Sequence, residues 1–178
     1  NGPFANDDRA LDMTIDSQDN IFVCGYSQTG SGTATDDAAV VKFDSSGAAT
    51  EFFFFDGIGL GNDQAVAITH DNHDQVYVAF RTDVDANPLV ANYNYLTIKF
   101  DNQLNQLWLN PPMYNSPINS DDIPVAISTN ASGHVFVTGY SKNDTLSGSV
   151  NVNWVTVRYD SLGIQSQTAN YDGPLGKD

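Results

Sequence analysis

A chain of 178 residues with 40 % apolar side chains has enough apolar surface to build a core, which excludes wholesale disorder. Its formal charge of −15 excludes the clustered Lys and Arg that nucleic acid or an anionic lipid surface needs. The longest apolar run, Val76 to Phe80, is too short to cross a bilayer, as is Phe52 to Phe55, and Cys24, the only cysteine, has no intrachain partner.

All the acidic residues but Glu51 are aspartates. Asp favours turns where Glu favours helix interiors, so the charge reads as many loops. The first element is a strand, because Leu11, Met13 and Ile15 alternate with Asp12 and Thr14. Residues 16–20 are turn formers, and the nearly continuous apolar run Ile21 to Tyr26 returns as a strand covered on both faces. Cys24 falls where Ala79 and Thr138 stand later, which predicts a small buried side chain.

A second hairpin follows. Ala39, Val41 and Phe43 face one way, Asp44-Ser-Ser-Gly47 turns, and Thr50 to Phe55 runs back. The whole pattern then recurs. Asp8 to Ser27 aligns with Asp63 to Thr82 and with Asp122 to Ser141, and Val41 to Asp44 with Ile98 to Asp101 and Val157 to Asp160. Leu107-Trp-Leu109 and Gln165 to Tyr171 are the expected outer strands of the later units.

Units of about 55 to 60 residues, each with four antiparallel strands, have the size of a propeller blade. The expectation is an all-β, β-propeller-type repeat array of three four-stranded antiparallel blades, an incomplete ring or a fragment of a larger propeller. The units are 8–62, 63–121 and 122–178. A parallel β-helix has shorter coils without paired hairpins; a plain sandwich is the remaining alternative.

Some of these segments resemble a known family. Val135-Phe-Val-Thr-Gly-Tyr-Ser141, after the Asn130-Ala-Ser-Gly133 turn, resembles the signature of bacterial seven-bladed β-propeller (SBBP) repeats. Trp154 to Asp160, Tyr171-Asp-Gly-Pro174 and Asn1-Gly-Pro3 are similar to its other recurring segments. The middle unit departs most, with Phe80-Arg81 where Gly25-Tyr26 and Gly139-Tyr140 stand. The resemblance implies a secreted or surface-exposed bacterial protein and supplies no catalytic motif.

Three blades leave a sheet face open at each end, and uncapped apolar faces seek partners. The segments before Asp8 and after Tyr171 are the same part of the repeat, so the expectation is a window from a longer array or a ring completed by association. Loops expected on one rim carry Asp7, Asp8, Asp56, Asp63, Asp121 and Asp122, and also Asp36, Asp37, Asp83, Asp85 and Asp144. Oxygen-rich loops suit Ca²⁺. Asp8, Asp63, Asp122, Asp83 and Asp85 are the candidate metal ligands; the competing reading makes them turn caps and backbone acceptors.

Lys42, Lys99 and Arg158 recur opposite the apolar stripe and are expected to pair with a neighbouring blade's carboxylates or face solvent. The three histidines have no zinc-type spacing. Tyr93, Tyr95, Tyr114 and Trp154 are candidates for stacking on sugars. The functional expectation is a non-enzymatic extracellular scaffold for adhesion, binding or structural assembly. Its partners would be other blades, a second copy, or an extracellular protein or glycan, with specificity in the loops 28–37, 82–94 and 142–153. The alternative is a glycan-acting hydrolase or lyase centred on Asp12, which Ala67 and Ala126 replace in the other units.

Overall fold

A computed structural model describes residues 7–29, 35–57, 61–85, 92–117, 120–144 and 150–171. These hold twelve strands and no helix. The first sheet is β1 (Asp8–Ile15), β2 (Ile21–Thr29), β3 (Thr35–Phe43) and β4 (Ala49–Phe55). The second is β5 (Gln64–His70), β6 (Val76–Asp83), β7 (Tyr93–Phe100) and β8 (Met113–Tyr114). The third is β9 (Asp122–Thr129), β10 (Val135–Asp144), β11 (Val150–Tyr159) and β12 (Gln165–Tyr171). Each sheet pairs its four strands antiparallel in chain order. The sheets stack as propeller-like blades, with β5 lying against both β1 and β9, and they are not closed into a ring.

The expected fourth strand at Leu107-Trp-Leu109 is not one. Only a lone bridge joins Phe100 to Gln106, and the fourth strand is the two-residue β8 beyond Pro111 and Pro112. Two consecutive prolines bring no N–H to the ladder. The Pro112 carbonyl still accepts the Thr97 N–H at 3.0 Å, and the displaced Trp108 turns into the core.

The six short hairpin turns among the described residues close by one device. Oδ1 of Asp16, Asp44, Asp71, Asp101, Asn130 and Asp160 accepts the N–H groups two and four residues on, at 2.8–3.1 Å. The residue three on has positive φ: Asp19, Gly47, Asp74, Leu104, Gly133 and Gly163. Gly and Asp tolerate that region; a leucine there costs about 1–2 kcal/mol. Leu104 is buried in the core between the first two blades, and that burial offsets the strain.

Alternation along the strands gives each blade two faces. Phe22, Cys24, Ala38 and Val40 of the first blade pack on Val76, Val78, Phe80, Ile98 and Phe100 of the second. The second blade's other face, with Tyr77, Ala79, Tyr95 and Trp108, packs on Val135, Val137, Val155 and Val157 of the third. Cys24 is buried as expected, and burial together with the Asp12 carboxylate pushes its thiol up to about 12.

Candidate functional site

The recurring carboxylates serve the backbone. Asp63 and Asp122 are fully buried at the entrances of the second and third blades. Oδ2 of Asp63 accepts the Gly57 N–H at 2.8 Å, and Oδ2 of Asp122 accepts the Ser116 N–H at 2.6 Å. Each therefore anchors the loop that enters its blade. Burial pushes both carboxyls up from their ordinary value, while the Gly57 and Ser116 N–H donors pull them back. Asp8 holds the matching position, opposite Ser27, and is exposed.

Asp83 is also buried, and its Oδ1 accepts the N–H groups of Asp85 and Asn92, both at 3.1 Å. It closes the β6–β7 loop, whose residues 86–91 lie outside the described part. Residues 30–34 and 145–149, the middles of the other two candidate specificity loops, lie outside it as well, as do residues 1–6 and 172–178. Among the described residues, no three His, Cys, Asp or Glu side chains are grouped so as to hold a metal ion.

The expected sharing of one rim by two kinds of loop is visible in the bonds between blades. The Asp36 carbonyl accepts the Asp63 N–H, Asn62 Oδ1 accepts the Asp36 N–H, and Gln64 donates to Asp36 Oδ2 at 2.7 Å. Between the next two blades, Asp121 Oδ1 accepts the Tyr93 N–H, and its Oδ2 pairs with Lys142 at 2.5 Å.

The recurring cations part company. Lys42 crosses to the second blade, where it donates to the Asn102 carbonyl at 2.7 Å; its acceptor is backbone, not a carboxylate. Lys99 is buried over the rings of Tyr77 and Trp108, and that burial pushes its ammonium down from the ordinary value. Trp108 Nε1 donates across to the Ser161 carbonyl, the counterpart of Asn102. Arg158 stays on its own blade, 3.0 Å from His134 Nε2. His70 Nδ1 meets Thr14 Oγ1 of the neighbouring blade at 2.8 Å.

Of the candidate sugar-stacking rings, Tyr95 and Tyr114 are buried as a pair 5.4 Å apart, and Tyr93 lies under the Arg81 guanidinium. Trp154 is 68 % exposed. It pairs across strands with Tyr171, also at 5.4 Å, on the outer face of the third blade. The pairing itself escapes a strand-by-strand reading of the sequence. The signal for it is the alignment of third strands, which sets Trp154 beside Tyr95 and Ala38.

Among the described residues two apolar faces are open. On the first blade, Val23, Gly25, Val41, Phe43, Phe52 and Phe54 line a hollow of about 750 Å³. On the third, Val125, Tyr140, Val152 and Trp154 line one of about 620 Å³. No protein-family model and no curated protein matches the chain.

Proposed function

We propose that the chain is a non-enzymatic, extracellular or cell-surface scaffold whose work is adhesion, binding or structural assembly through its open blade faces. The observation that carries this reading is how the polar groups are spent. The turn carboxylates and the blade-entrance carboxylates Asp63 and Asp122 accept backbone N–H groups, while two faces rich in Phe, Val and Trp are uncovered among the described residues. Exposed apolar surface rimmed by polar residues is the character of an interaction site.

Asp12, the candidate centre of a glycan-acting enzyme, is engaged in the same manner. Its Oδ1 accepts the Met13 N–H at 2.8 Å and its Oδ2 the Ile68 N–H at 3.0 Å, which ties β1 to β5. Glycoside hydrolysis calls for two carboxyl groups flanking one bond, one of them free to give up a proton. Incubation with a panel of acidic and neutral polysaccharides is expected to release no reducing ends and no unsaturated products above the buffer rate. Product release that disappears in Asp12→Ala would overturn the scaffold reading in favour of an enzyme.

A further inference from the structure

The two open faces are different, and the internal junctions state what each one takes. At both junctions a cross-strand pair on the third and fourth strands of one blade presses on the second strand of the next. In the first junction the pair is Ala38 and Phe55, and Phe55 packs on Phe80 with ring centroids 5.6 Å apart. In the second it is Tyr95 and Tyr114, and the Tyr95 hydroxyl reaches the Tyr140 carbonyl at 3.3 Å. There Tyr95 lies over Gly139, the counterpart of Phe80, where a Cβ would meet the Ile123 carbonyl of its own blade first and would also stand 2.6 Å from the Tyr95 hydroxyl.

Size is thus matched across the junction. A small Ala38 accompanies a large Phe80, and a large Tyr95 lies over a glycine. The third blade carries the same pair as Trp154 and Tyr171, on which none of the described residues of another blade presses, and these side chains are 68 % and 55 % exposed. The first blade carries the same receiving position as Gly25, kept free of a Cβ by the Arg9 carbonyl of its own blade and lining the open hollow. A tryptophan without a receiver and a glycine without an aromatic are the two halves of one further junction.

A second feature agrees. Each internal junction is latched by a donor from one blade to the carbonyl at the second position of the next blade's outer turn. Lys42 grips Asn102 in the first junction, and Trp108 grips Ser161 in the second. Arg158 is the third blade's counterpart of Lys42, and Ser45 is the first blade's counterpart of Asn102 and Ser161.

We propose that the third blade of one copy docks on the first blade of a second copy, with Trp154 seated over Gly25 and Arg158 donating to the Ser45 carbonyl. The same contact made in return closes a ring. Such a head-to-tail contact joins unlike faces, and it ends in a closed ring when the rotation per unit allows. This rests on the reading of the open faces as binding surfaces and names their occupant.

Light scattering on the chain tests it, together with Phe54→Asp on the first blade and Trp154→Asp on the third. Both positions are exposed, so unchanged circular dichroism verifies that each variant folds. The wild type is expected at about twice 19.3 kDa, each variant alone at 19.3 kDa, and an equimolar mixture of the two variants again at about twice that mass. The mixture is decisive because it holds one intact junction, between the third blade of Phe54→Asp and the first blade of Trp154→Asp.

A wild type at the mass of one chain overturns the proposal, as does a mixture that stays at that mass. A variant that remains dimeric alone also overturns it, because like faces would then be pairing. None of these results touches the scaffold reading, which stands or falls with the polysaccharide assay.

Discussion

Phe100→Ala is expected to lower the unfolding free energy by about 3–5 kcal/mol, the range for removing a fully enclosed aromatic side chain. Phe100 is fully buried between the first two blades, and Phe53 of the first blade meets it edge-on with centroids 4.7 Å apart. Edge-to-face pairs add about 0.5–1.5 kcal/mol beyond area burial, so part of the loss lies in the ring contact itself. The cavity would open at the junction and not within one sheet, loosening the stacking of blades. Leu109→Ala is the control, since Leu109 is 89 % exposed and its loss is expected to stay within about 0.5 kcal/mol. Urea unfolding followed by circular dichroism measures both. A loss below about 1 kcal/mol for Phe100→Ala would mean that the blades do not share this core.

The second large effect is at Asp122. Asp122→Ala leaves the buried Ser116 N–H without its acceptor and is expected to cost about 1–3 kcal/mol. Asp122→Asn keeps an oxygen for that N–H and is expected to cost less. Its deficit relative to the wild type should also depend on pH. Asp122 and Asp63 have folded-state values raised by burial, so the stability they contribute is full below the unfolded value of about 3.9 and is lost as pH rises through the folded value. The gap between wild type and Asp122→Asn therefore narrows from acid toward neutral pH.

Asp44, Asp74 and Asp101 titrate in the opposite sense. Their folded values are lowered: the Ser46 and Ser17 side chains hold Asp44 and Asp74 down, and at Asp101 burial is outweighed by the Asn105 and Gln103 donors. What these three contribute is present above about pH 3.9 and is lost as pH falls through their folded values. Thermal midpoints taken from pH 3 to pH 8 would show the gap narrowing upward. A gap that widens with pH would contradict the buried, charge-disfavouring setting assigned to Asp122.

Much of this architecture was legible in the residues. The alternation of Leu11, Met13 and Ile15, and the Asp-rich segments at 16–20, 44–48 and 71–75, lead to hairpins because short carboxylates accept from the backbone two and four residues on. Leu104 was not legible as a turn residue with positive φ, since its position is held by burial and not by local preference. Leu107 to Leu109 reads as a strand by pattern, but Pro111 and Pro112 displace the ladder to Met113 and Tyr114. At the candidate sites, the spacing of Asp63 and Asp122 marks a recurring duty without saying which. Only the nearness of the Gly57 and Ser116 N–H groups makes that duty structural. The loop carboxylate Asp36 looked like rim charge and is instead a joint between blades.

The central claim is that the recurring aspartates are acceptors for the chain's own backbone. Calorimetric titration of the chelator-treated chain with Ca²⁺ tests it most directly, with the thermal midpoint read in parallel. The account predicts no saturable heat and an unmoved midpoint. Saturable binding with a rising midpoint, worth about 2.7 kcal/mol at a hundredfold excess over Kd and abolished in Asp63→Asn, would contradict it and make the blade entrances metal sites.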